Sequence, residues 1–186
     1  MRSGSRHRDR GAAVVEAAII LPVLIVLAIG LAEIGFAAID RLTMANAARQ
    51  GARVGAAAGD TPNADQTILR SVEQAACALK YGSLVSVEIY EADPNGDPSD
   101  PAAKLNLYTP SGGLNCTNSA TTNLTCANGC PWSPSSRSTV VTNLDEVGVR
   151  VTYTHEWITG IPPWTGSVTW TDRTVMRLEP ETGIGS

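Results

Sequence analysis

The sequence predicts an α+β protein with a long N-terminal transmembrane and stalk helix, a second amphipathic helix packed on an antiparallel sheet, and a disulfide-tied loop. Three observations carry this expectation. From Ala12 to Ala32 the only charged residue is Glu16, and about 20 predominantly apolar residues are what an α-helix needs to cross a bilayer. Beyond Gly82 the apolar positions change from a helical period to alternation, which marks strands with one covered and one solvated face. The four cysteines, Cys77, Cys116, Cys126 and Cys130, all lie beyond the apolar segment.

The N-terminal element comes first. Residues 1–11 form a basic leader in which Arg2, Arg6, Arg8 and Arg10 face one acid, Asp9. The next basic residue is Arg41, so the positive-inside rule places the N-terminus in the cytoplasm and the remainder outside. The net charge of −4 with a basic block confined to the leader speaks for membrane topology and against a nucleic-acid surface. Two simple readings fit the apolar run: a secretory signal cut near "LAIG" at 27–30, or an uncleaved anchor over 12–36. Both leave Glu16 unexplained, although a charged side chain inside a bilayer costs about 3 kcal/mol on insertion scales and is functional by default.

The helix is expected to continue as a stalk over 37–59, since no proline follows Pro22 before Pro62. A single helix over 12–59 would be roughly 70 Å long. Gly51, Gly55 and Gly59 recur at every fourth position beside Ala48, Ala52 and Ala56, a spacing that allows close helix packing, either on the chain's own head or between subunits. Pro22, Gly30 and Gly35 lower the rigidity of the span.

The head is expected over 60–186. Its helix is signalled in "NADQTILRSVEQAACALKYG", with Asn63 or Asp65 as cap and Gly82 as stop. Ile68, Leu69, Val72, Ala75, Ala76 and Leu79 share one stripe, whereas Cys77 lies on the side of Arg70 and Glu73. Alternation then puts Val85, Val87 and Ile89 on one strand face, Leu105 and Leu107 on a second, and Val147, Val149, Val151 and Tyr153 on a third, before a last strand in "GSVTWTDRTVMRL".

Between 93 and 137 runs a long loop rich in Pro, Asn, Ser, Thr and Gly, of a length that is functional or disordered unless tied down. An even number of cysteines outside the cell favours two disulfides. All three pairings tie Cys77 to this segment. Cys77 with Cys130 and Cys116 with Cys126 is the expected set, because only "ANG" separates Cys126 from Cys130 and a bridge there closes a tight ring. A bridge enclosing roughly 50 residues is worth about 4 kcal/mol in the chain-entropy model.

Other chemical signals are weak. "DPNGDPSDP" alternates its acids but places Lys104 where a calcium loop needs a bidentate acid, so it reads as an acidic turn, and no metal or cofactor is expected. His155 reads as a strand-end histidine, and no serine or cysteine lies on a nucleophile elbow. "NCT" and "NLT" match glycosylation acceptors by pattern alone. Trp132, Trp157, Trp164 and Trp170 read as core and rim aromatics.

A basic leader, then Gly11, then Glu16 as the fifth residue after it, then an apolar helix containing Pro22, resembles the class III leader of type IV pilin-like proteins. "AAVVEAAIILPVLIVLAIGLAEIGFA", "TMANAARQGARVGAAAG" and "SVTWTDRTVMRLEP" resemble the TadE-like family of the tight-adherence (Flp) pilus apparatus, with Ala17 where that group usually has Phe or Tyr. The resemblance implies cleavage between Gly11 and Ala12 by a prepilin-type peptidase. It also implies pairing of Glu16 with the N-terminal ammonium of a neighbouring pilin-like subunit. The function expected is that of a non-enzymatic membrane-anchored pseudopilin-like component, incorporated in a pilus as a minor subunit or retained with other assembly proteins in the membrane. An anchored extracytoplasmic binding module and a conventionally secreted protein are the alternatives.

Overall fold

The computed structural model describes residues 6–117 and 120–180; residues 1–5 of the expected leader lie outside the described residues. Helix α1 (Arg6–Ala58) runs without interruption through Pro22. It therefore joins leader, span and stalk in one rod, as strong helix formers with no break between them dictate. Gly59, at φ +57°, stops it, donating its N–H to Gly55 O at 3.1 Å as a left-handed C-terminal cap does.

Helix α2 (Ala64–Ala76) follows after five residues. Five antiparallel strands, β1 (Gly82–Glu91), β2 (Leu105–Pro110), β3 (Leu124–Cys126), β4 (Glu146–Glu156) and β5 (Ser167–Arg177), form one sheet in the order β3-β2-β1-β4-β5. Both helices cover the same face. Val147, Val149, Val151 and Tyr153 of β4 meet Ile68, Leu69 and Val72 of α2 and Met44, Ala47, Ala48 and Ala52 of α1 in one core. The core thus crosses the expected boundary at residue 60, and the outer half of α1 is part of the head.

Several local expectations change for identifiable reasons. A register shift between Leu84 and Ser86 buries Leu84 and leaves Val85 41% exposed, because a bulge reverses the side-chain alternation beyond it. In β2 the inward residues are Asn106 and Tyr108 rather than Leu105 and Leu107, since they pair with Ile89 and Val87 and share those residues' face. Gly82 opens β1 instead of stopping α2; a Cβ there would lie 2.2 Å from Thr154 O, so the glycine permits close strand pairing. Asp65 is not a cap. It is buried, accepts from Asn106 Nδ2 at 2.8 Å and Tyr108 Oη at 2.7 Å, and pairs with Arg137.

The other sheet face is covered locally by 92–104. Tyr90 packs over Gly148, where a Cβ would lie 2.3 Å from the ring, and donates its hydroxyl to Gly96 O at 3.0 Å. Asp93 Oδ1 accepts from the N–H groups of Asn95 and Asp97 at 2.9 and 2.8 Å, while Asp97 pairs with Arg150 and Arg173. These are the bonds of an acidic turn.

Candidate anchoring and assembly surface

Helix α1 divides by its surroundings into two lengths. Residues 11–28 are not covered by the described part of the head: every position is exposed, with Val14 at 68% and Leu27 at 58%. A helix satisfies its own backbone, so such a length needs no protein neighbour in hydrocarbon. Gly11–Ala58 has the length and composition of one membrane span with an extension. Glu16 is exposed on this bare length and has no ion-pair or hydrogen-bond partner among the described residues. Gly11 and Ala12 lie inside the helix and are exposed, with no atom within 4 Å of a Cβ built on Gly11.

From residue 29 onward one stripe is buried. Gly30, Glu33, Ala37, Asp40, Met44, Ala47 and Gly51 follow one another at alternating steps of three and four, the spacing of a helix seam. The small residues serve close approach within the chain. A Cβ on Gly51 would lie 2.6 Å from Val72 Cγ2 and 3.2 Å from Val149 Cγ1, and one on Gly55 would lie 2.9 Å from Ile68 Cδ1. Ala48 and Ala52 are fully buried and Ala56 nearly so. Both rows therefore face α2 and the sheet, whereas Gly59 acts in the cap. The opposite face of the same length presents Leu31, Ile34, Ile39 and Leu42, all more than half exposed.

Two acids on the buried stripe escaped sequence reasoning. Glu33 is 1% exposed, and its carboxylate accepts the N–H groups of Ile158 at 3.2 Å and Thr159 at 2.6 Å, in the β4–β5 loop. Asp40, also 1% exposed, lies 2.7 Å from His155 Nδ1. His155 is fully buried beneath Trp157 and Trp170, at ring-centroid distances of 5.1 and 5.7 Å. The strand-end histidine is thus a buried partner of the helix. The available signal was the seven-residue interval from Glu33 to Asp40, which puts both acids on the stripe of Ala37 and Met44. Trp164, in the same loop, seals the contact at Gly30, where a Cβ would lie 2.5 Å from its ring.

The long loop is tied down, with a different pairing from the expected one. The bridges are Cys77–Cys116 and Cys126–Cys130. Glu73, expected on the solvated side of α2, is buried and accepts the N–H of Asn115 at 2.8 Å and of Asn123 at 3.2 Å. That bond places Cys116 beside Cys77, one turn beyond Glu73. Cys126 is at the end of β3, where the chain reverses through Gly129 and Cys130, both at positive φ, and Asn128 Oδ1 accepts the N–H groups of Leu107 and Cys130 at 2.9 and 3.2 Å. The short ring follows from this turn. Tyr108 is raised well above the ordinary tyrosine range by burial and by the neighbouring Asp65 carboxylate, which fits a hydroxyl held as a donor. The amides of Asn115 and Asn123 are spent within the loop, on Thr121 O and Gly113 O at 3.0 and 2.7 Å.

Residues 11–53 match the TadE-like protein family. The matched length starts at Gly11, includes Glu16, Glu33 and Asp40, and ends within α1 at Arg53. It covers the bare span and most of the seated stalk, so the likeness resides in the anchor helix and the sheet stands outside it. No curated protein and no solved structure matches the chain.

Proposed function

We propose that this protein is a non-enzymatic, membrane-anchored, pseudopilin-like component of a tight-adherence pilus apparatus. In this reading the N-terminus is cytoplasmic, the head extracytoplasmic, and the leader is removed after Gly11 by a prepilin-type peptidase. The observation that carries the reading is Glu16, an acid without a partner among the described residues, on an otherwise bare apolar helix in a segment matched by the TadE-like family. Opposite charges in a low-dielectric medium attract strongly, and an isolated one is heavily penalised. An ammonium freed at Ala12 of a neighbouring subunit would answer that penalty and fix axial register.

Two measurements test the proposal together. N-terminal sequencing of protein made beside a prepilin-type peptidase is expected to begin at Ala12; a start at Met1 or near Leu31 would reject cleavage after Gly11. Glu16→Gln is expected to leave membrane extraction unchanged while cross-linking to pilin-like subunits is lost. Unchanged cross-linking would reject the pairing role.

A further inference from the structure

The end of the head nearest the bare helix has a composition suited to a lipid surface. The β4–β5 loop, "WITGIPPWTG" at 157–166, contains no charged residue. Ile158 and Ile161 are exposed at its tip, at 46% and 42%, and Trp157 and Trp164 are half-buried. Beside it Phe36 and Tyr81 pack ring to ring at 4.9 Å, with exposed Lys80 next in the chain. Tryptophan and tyrosine favour the headgroup level of a bilayer, where an apolar ring and a polar edge are both satisfied. A nearby lysine suits an anionic headgroup.

The length of α1 puts this loop at that level. Counted from Ala12, the roughly 30 Å needed to cross the hydrocarbon ends near Leu31 at 1.5 Å per residue, and Trp164 meets α1 at Gly30. The opposite end of the head, where Thr139 meets Gly59, lies about 44 Å farther along the helix axis by the same rise. Loop and span therefore adjoin at Gly30. Just beyond that point Glu33 accepts two backbone N–H groups from the loop, so the same loop satisfies the acid where the expected span ends.

We propose that the β4–β5 loop is a second membrane contact, seating Ile158, Ile161 and Trp164 in the interfacial layer of the bilayer that α1 crosses and fixing the head upright on it. This rests on the reading of α1 as a span, and the test separates the two. Ile161→Cys, Leu24→Cys and Val141→Cys, each in the full chain, are labelled with an environment-sensitive fluorophore and reconstituted in phosphatidylcholine–phosphatidylglycerol vesicles with lipids brominated near the headgroup or at mid-chain. The Ile161 label is expected to shift to the blue and be quenched by the shallow bromines, the Leu24 label by the deep ones, and the Val141 label by neither. A water-exposed Ile161 label beside a quenched Leu24 label would overturn the loop contact and leave the span standing. Leu24 in water would overturn both. A blue-shifted Ile161 label insensitive to bromine, with unlabelled Ile161→Cys forming disulfide-linked dimers, would overturn the lipid assignment in favour of a second copy of this chain.

Discussion

The two lengths of α1 are built from similar residues and have opposite surroundings. Residues 11–28 and 29–59 are both rich in alanine and aliphatic side chains, and both carry acid on an apolar helix, Glu16 on the first and Glu33 and Asp40 on the second. On the outer length Glu33 and Asp40 are buried and bonded to the head. On the inner length Glu16 stands on bare helix. A carboxylate in an apolar setting is tolerated when donors reach it, so the difference teaches that the head supplies the donors for two acids and, among the described residues, none for the third.

The largest expected effect removes one side of the comparison. A fragment beginning at Asp60 lacks Met44, Ala47, Ala48 and Ala52, which cover the β4 valines. It is expected to show little amide-exchange protection, whereas a fragment beginning at Leu31 keeps the β4 amides protected. Strong protection in the shorter fragment would show that the sheet and α2 are self-sufficient.

Next in size is the loss of one buried partner. Asp40→Ala leaves both ring nitrogens of His155 without a partner among the described residues, since Nε2 already has none there. The expected cost is about 3 kcal/mol of head stability, read by urea unfolding followed through near-ultraviolet circular dichroism in detergent. Glu16→Ala, on the bare length, is expected to leave the same midpoint unchanged. Equal effects from the two substitutions would erase the distinction between the lengths.

The smallest effect sharpens the boundary with glycines. Gly51→Ala pushes a methyl against Val72 and Val149 and is expected to cost about 1 to 3 kcal/mol, as overpacking does. Gly35→Ala meets no atom within 4 Å and is expected to gain up to about 1 kcal/mol through helix propensity. Opposite signs in thermal melting are the expected outcome; a loss at both positions would mean that the helix face carrying Gly35 is occupied.

Much of this was legible because local physics governed it. The apolar run, the helix formers as far as Gly59, the apolar stripe of α2 and the alternation of Val147, Val149, Val151 and Tyr153 are periodic signals that survive folding. What failed was decided by neighbours far away in sequence. Val85 turned outward because of a bulge, Asn106 and Tyr108 turned inward because β1 set their register, and Glu73 was buried because a loop some 50 residues later bonds to it. That same contact selected Cys77–Cys116 over the pairing expected from ring size. Spacing along the chain limits which rings can close, but it cannot say which cysteine is held beside Cys77.

The sequence by itself determined a long continuous helix, its bare apolar segment with Gly11 and Glu16, a second amphipathic helix and the hydrophobic strands, since these depend on propensity, period and composition within short windows. Only the tertiary structure decided where the bare helix ends and the head begins, which acids find donors, and which cysteines meet. Those outcomes depend on distances between segments that are remote in the chain. Burial of Glu33 by Ile158 and Thr159, across more than a hundred residues, has no local cause: the pairing of β4 with β5 sets the loop whose two N–H groups point at the helix.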